Sequence, residues 1–247
     1  MLSDNLQNYS SGRLTDGIEL DSSIKSVVGF IEIHFAEFSK EVKGEISTSE
    51  KALTDKLCKF LNRNAGAHPF FFHHENVEDH TSGISPQIDI GTISRSDKLI
   101  IGDRCYTEYA SFFSIEAKRL PTPGQNREKE YVIGHDRPNG GIERFKKRIH
   151  GKDLKYAAVI GYIQMKDANH WFLKINDWIG ELITSDPKVW REDDKLVEKK
   201  SKSISLNKFS SKNSRETNDG QEDHINLFHF WINLIENSEV PPFVRTA

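Results

Sequence analysis

Apolar residues recur every three or four positions from Ile24 to Phe38 (Ile24, Val27, Val28, Ile31, Phe35, Phe38), which places one continuous stripe along a helix. Asp21 or Ser22 offers the side-chain oxygen that caps it. A second helix is expected after Ser47-Thr48-Ser49-Glu50, a capping-box pattern, with Leu53, Leu57, Phe60 and Leu61 on one side and Asn64-Ala65-Gly66 as its stop. The period then shortens. Residues 69–75, 87–93, 99–101 and 109–120 read as strands, with Gly102-Asp103-Arg104 as a turn, and the span from Asp89 to Glu116 as a β-meander. Residues 121–141 carry Pro121, Pro123, Gly124, Pro138, Gly140 and Gly141, so a long irregular loop is expected to hang over the preceding strand as a flap. A helix over 141–151 buries Ile142, Phe145 and Ile149, and the wholly apolar run 156–163 reads as a strand covered on both faces. Beyond it, 171–175 alternates like a short strand, Asn176 opens a helix and 203–209 reads as an edge strand. Residues 224–235 fit strand and helix equally by period.

Composition changes this picture little. The 247 residues, 36% hydrophobic and 29% charged, suffice for one large α/β domain or two small ones. We read residues 1–20 as a flexible polar segment and 21–247 as a single domain with its core at 47–165 and a C-terminal extension at 166–247. No apolar run approaches the ~20 residues that span a bilayer, and the polar N-terminus lacks the pattern of a secretory signal. Cys58 and Cys105 are too few for a disulfide framework and stand in no zinc-binding spacing. A cytoplasmic protein with reduced thiols and no membrane association is therefore expected. His73 and His74 are adjacent on a strand and face opposite ways, so they do not share an ion.

Net charge is −3, but basic residues cluster: seven lie between Arg137 and Lys155 against two acids, Glu143 and Asp153. Arg144 and Arg148 stand one turn apart on the helix there, placed to meet a phosphate. A second basic stretch, Lys195–Lys212, reads as a solvated face.

The candidate chemistry lies in Ser114-Ile115-Glu116-Ala117-Lys118. Alternation along a strand puts Ser114, Glu116 and Lys118 on one face and Ile115 and Ala117 on the other. A carboxylate and an ammonium on an apolar strand must be paired or employed. Asp89, between Ile88 and Ile90, is a second acid in the same setting. Two strand-borne acids and a lysine are the parts that hold Mg²⁺ against a phosphodiester.

This arrangement resembles the PD-(D/E)XK nuclease superfamily, with Asp89 as first acid and Glu116-Ala117-Lys118 as the Glu-x-Lys. It departs from that family's pattern in placing its proline early, at Pro86. The order of strand, Glu-x-Lys strand, helix and buried strand adds to the resemblance, as does Gly-Gly-Ile-Glu-Arg-Phe (140–145) followed by His150-Gly151; together they cover about residues 47–165. The resemblance implies an α/β (α+β) fold with a restriction-endonuclease-like core, a central mixed sheet flanked by helices. It implies Mg²⁺, with Mn²⁺ as a substitute, bound by Asp89, Glu116 and the Ala117 backbone carbonyl. An early helix in such families supplies a further glutamate, here Glu50, for which the capping box is an equally good explanation. Lys118 would orient the attacking water, and Arg144, Lys147 and Arg148 would hold the DNA backbone, RNA being the other possible substrate. The implied role is an endonuclease of restriction or anti-phage defence, acting as a homodimer or with a partner ATPase or sensor. The other reading is a catalytically silent module that binds nucleic acid or scaffolds a partner. A different enzyme class lacks support, since no Gly-rich phosphate loop, nucleophile elbow or kinase signature is present.

Overall fold

Asp21 caps the first helix, α1 (Ser22–Glu41), its carboxylate accepting from the Ser23 amide at 2.7 Å. The stripe from Ile24 to Phe38 is buried as the spacing requires. In α2 (Glu50–Ala65) the cap is Ser49, whose hydroxyl accepts from the Ala52 amide at 3.3 Å. Glu50 is thus the first residue of the helix rather than the third, and does not close a reciprocal box with Ser47. Gly66, at φ +46°, ends the helix in a conformation that favours glycine.

The computed structural model describes residues 21–78, 86–201, 203, 206–215 and 223–236. The expected flexible segment 1–20 lies outside the described residues. The architecture is α+β: a central mixed sheet of seven strands flanked by helices. In chain order the strands are β1 (Phe70–Val77), β2 (Gln87–Ser94), β3 (Lys98–Ile101), β4 (Arg104–Thr107), β5 (Ser111–Leu120), β6 (Tyr156–Ile163), β7 (Val197–Lys199), β8 (Leu206–Arg215) and β9 (Asp223–Asn233). The large sheet runs β1-β2-β5-β6-β9-β8-β7, while β3 and β4 form a separate ribbon. The expected meander is therefore interrupted: β2 pairs directly with β5, and the ribbon between them leaves the sheet.

β5, β6 and β9 are parallel and central. From His229 to Asn233 β9 is covered on both faces and loses its alternation, which is why the period of 224–235 could not separate strand from helix. Residues 206–215 and 223–233 complete the sheet, so the core extends well past 165; its edge strand is β7, and 203–209 is not the edge. The alternation expected at 171–175 belongs instead to a long helix, α4 (Ala168–Ser185), capped by Asp167 and burying Trp171, Ile175, Trp178 and Ile179 at helical spacing.

Helices α1 and α2 cover one face of the sheet: Phe35 packs edge-on to Phe230 at 5.6 Å, and Thr54 meets Tyr162. On the other face lie α4, where Phe172 stacks on Phe209 at 5.2 Å, and α3 (Gly141–Lys146). α3 ends earlier than expected because Arg148 and Gly151 adopt positive φ. The loop before it is no free flap. A 3₁₀ turn at Glu128–Tyr131 drives Tyr131 and Val132 into the core. No helix among the described residues is long and apolar enough to cross a membrane.

Candidate active site

Ile88, Ile90, Ile115 and Ala117 are fully buried and lock β2 and β5 in place. The ladder between them runs from Ile90–Ile115 toward the far ends of the strands, and Asp89 lies just outside it. There the Asp89 carboxylate replaces the missing backbone acceptor, taking the Ala117 amide at 2.7 Å. Asp89 stays partly exposed, whereas Glu116 and Lys118 are buried. Lys118 Nζ donates to Glu116 Oε1 at 2.7 Å. Glu50 approaches from the start of α2, its Oε2 accepting the Arg119 amide at 3.0 Å and its Oε1 lying 3.8 Å from Lys118 Nζ. The Ser49 cap leaves the Glu50 side chain available for this reach.

The sequence-derived quartet of Asp89, Glu116, Lys118 and Glu50 is thus brought together, with the Lys118 ammonium at its centre. Arg144 joins it, NH1 donating to Glu116 Oε1 at 3.1 Å. Lys147 and Arg148 do not: Lys147 pairs with Glu143 at 2.8 Å, and Arg148 turns away to Asp223 and the Lys152 carbonyl. Gly141 permits the close approach of α3, since a Cβ there would meet the Tyr131 carbonyl at 3.1 Å and Lys118 Cγ at 3.5 Å.

Two residues missed by the sequence complete the cluster. His150 is almost wholly buried, with Nε2 3.0 Å from Arg144 NH1 and Nδ1 2.9 Å from Glu78 Oε2. A guanidinium only donates, so Nε2 accepts and Nδ1 carries the proton toward Glu78. Glu78 is fixed in turn by Ser114 Oγ at 2.8 Å and the Gly151 amide at 3.0 Å. The His-Gly after α3 was a faint signal for His150; Glu78 gave none.

Three acids, Glu50, Asp89 and Glu116, share the cluster with the cations Lys118 and Arg144 and, beside Glu50, Arg119. Burial, reinforced by Glu116, pushes the Asp89 carboxyl up to about 8 despite Lys118 and the Ala117 amide. Burial likewise raises Glu50, with Lys118 opposing. At Glu116 burial pulls upward, but chiefly the charges of Lys118 and Arg144 prevail and hold it below its ordinary value. The same acids overcome burial at Lys118 and keep it protonated.

Among the described residues, no group of three or more His, Cys, Asp or Glu side chains is arranged as a metal cage. The acids gather around an ammonium instead. Carboxylate oxygens are nevertheless the donors a hard divalent cation takes. Glu116 Oε2 is a buried acceptor with no hydrogen-bond partner among the described residues, and His150 Nε2 lies 3.5 Å from it. The donor set fits such an ion, which would take the place of the proton that Asp89 holds below about pH 8. Comparison of the chain with protein-family models, curated proteins and solved structures yields no match.

Proposed function

We propose that this chain is a metal-dependent nuclease with a restriction-endonuclease-like core, hydrolysing phosphodiester bonds of DNA as an endonuclease of restriction or anti-phage defence. The observation that carries the reading is the meeting of Asp89, Glu116 and Glu50, from two strands and a helix, beside Lys118. Mg²⁺ or Mn²⁺, held by Asp89 and Glu116 with Glu50 and the Ala117 carbonyl beside them, would supply charge neutralisation and Lewis acidity at the phosphate. Lys118, kept protonated by its acids, donates to the developing charge on the phosphoryl oxygens and orients the attacking water. Arg144, a quarter exposed along its side chain, presents its remaining N–H groups to the phosphodiester backbone. His150 and Glu78 hold Arg144 and Glu116 in register.

The test incubates purified protein with supercoiled plasmid, and in parallel with single-stranded RNA, in Mg²⁺ or Mn²⁺. Lys118→Ala and EDTA controls accompany it. Metal-dependent cutting lost in both controls supports the proposal. Equal outcomes in all arms overturn it, and cutting only beside a co-expressed partner assigns activation to that partner.

A second reading, a silent nuclease-fold module, draws on the absence of a three-ligand group among the described residues. It expects nucleic acid to be bound without cleavage and no metal-dependent shift in melting temperature.

A further inference from the structure

The basic stretch Lys195–Lys212 is only partly a solvated face. Strand alternation sorts β8 and β9 cleanly: 209, 211 and 213 are buried with 225, 227 and 229, whereas 208, 210, 212, 224, 226 and 228 reach the surface. The register fixes which face this is. Glu116 stands opposite Val159 and Val159 opposite His229, so the catalytic cluster shares a face with His229. Phe228, the next residue, and Tyr156 on β6 point through the other face, so the sheet itself separates them from Glu116.

On that second face, Lys199, Lys200, Lys208 and Lys212 line a cleft of about 740 Å³ together with Tyr156 and Phe228. The two rings are nearly parallel, their centroids 6.4 Å apart and their planes 25° apart, and Phe230 continues the stack beyond Phe228. The acids in the cleft are Glu192 and Asp193; Lys195 neutralises the first at 2.8 Å. Lys208 is engaged by Glu32, but among the described residues no ion pair engages Lys199, Lys200 or Lys212. Burial first, and then the charges of Lys212 and Lys155, hold His224 at the cleft wall below its ordinary pKa.

Partly exposed rings in line on a sheet face, flanked by lysines free to meet phosphates, form a stacking platform beside an electrostatic track. We infer that this cleft binds a single-stranded nucleic acid, with bases on Tyr156 and Phe228 and backbone phosphates on Lys199, Lys200 and Lys212. The site is independent of the metal centre and adds a strand-holding surface on the opposite side of the sheet.

Fluorescence anisotropy in EDTA tests it with the Glu116→Gln protein as background, so that no cleavage and no metal contribute. Labelled oligodeoxythymidine, oligouridine and a duplex of equal length are titrated at several salt concentrations. Single strands bind more tightly than the duplex, and the DNA and RNA arms show which sugar is preferred. Lys199→Glu/Lys212→Glu weakens binding about tenfold or more and lowers the salt slope by about 2. Phe228→Leu, which keeps apolar bulk but removes the π-face, weakens it about fivefold with the salt slope unchanged. Thermal melts confirm that each variant folds, and Lys59→Glu on α2 serves as the charge-reversal control. Failure of both single strands to bind, equal losses in the Lys59→Glu control, duplex binding as tight as single-strand binding, or equal displacement by polyglutamate would each overturn the inference.

Discussion

Glu116 and His229 lie in one cross-strand row of a single sheet face, two strands or about 10 Å apart, yet their surroundings are opposite in character. At His229 the partners are neutral, and each ring nitrogen is matched, although Asn213 Oδ1 at the network's edge is a buried acceptor with no hydrogen-bond partner among the described residues. Tyr131 Oη meets Nδ1 at 2.8 Å, Ser211 Oγ meets Nε2 at 2.9 Å, the Trp231 indole donates to Tyr131 Oη at 2.9 Å and Asn213 donates to Ser211 Oγ at 2.7 Å. Burial drops the His229 pKa to about 3, so the ring carries no charge. At Glu116 everything is charged and unevenly matched, with one carboxylate oxygen lacking a hydrogen-bond partner. A neutral network leaves one amide oxygen unpaired at modest cost, whereas an unpaired oxygen on a buried carboxylate costs more unless something else completes it. The same sheet therefore separates a neutral region that serves stability from a charged one that we propose serves chemistry.

The largest effects should divide along that line. Asp89→Asn keeps an oxygen for the Ala117 amide but removes the charge proposed to bind metal. Cleavage should fall ~10²–10³-fold, while the melting temperature in EDTA at pH 8 does not drop. A fall in stability matching the loss of activity would erase the distinction between the two regions. Tyr131→Phe should do the reverse. It deprives both His229 and the Trp231 indole of a partner, costing roughly 1–3 kcal/mol and lowering the melting temperature by several degrees. Specific activity of the folded protein should stay within about twofold of the original. Substantial loss of specific activity would mean that the 122–140 segment serves the site directly.

The region built for stability was readable in part, and the reasons are physical. The α1 stripe spans several turns, enough for the 3.6 period to declare itself. At β9 the alternation lasts only to Phe228, and from His229 to Asn233 both faces are covered. Five residues at 171–175 were too short a window to tell alternation from one flank of α4. At the site, Glu116 and Lys118 were legible because a spacing of two on a strand forces a shared face, and Asp89 because its isoleucines announce burial. The reach of Glu50 turned on which serine caps α2: the box pattern points to Ser47, three residues before Glu50, whereas the cap is Ser49, which has Ala52 at that spacing. Glu78 and His150 meet across 72 positions of chain, a pairing no local pattern encodes. Arg148 was misplaced because its positive φ ends α3 and swings it to Asp223.

Glu78→Gln sharpens the comparison from within the charged region. The amide can still accept from Ser114 and Gly151, but it no longer draws the His150 proton, so the hold on Arg144 and Glu116 slackens. Outer-shell changes of this kind cost ~10-fold or more in activity or metal affinity. The expected signature is a drop in kcat with KM for DNA nearly unchanged, at a melting temperature within a degree or two of the original. An equal rise in KM would instead place Glu78 and His150 in substrate binding.

The smallest effect concerns pH, and it separates the two regions without altering a residue. Between the ordinary carboxyl value of 3.8 and about 8, the folded protein holds a proton on Asp89 that the unfolded chain has already released. Stability contributed by that carboxyl must therefore fall as pH rises through this window, by at most about 1.4 kcal/mol per unit and by less to the extent that solvent reaches the group. Glu50, raised by the same burial, adds to the fall. His229 adds no slope above pH 7, where its ring is neutral folded and unfolded alike. In EDTA the melting temperature should decline from pH 7 to pH 8, and Asp89→Asn should flatten that decline whereas Tyr131→Phe should only lower the whole curve. Mg²⁺ should displace the Asp89 proton, so its stabilising effect should grow with pH over the same interval. A decline that persists undiminished in Asp89→Asn would place the raised carboxyl elsewhere in the molecule and leave Asp89 an ordinary strand-end acceptor.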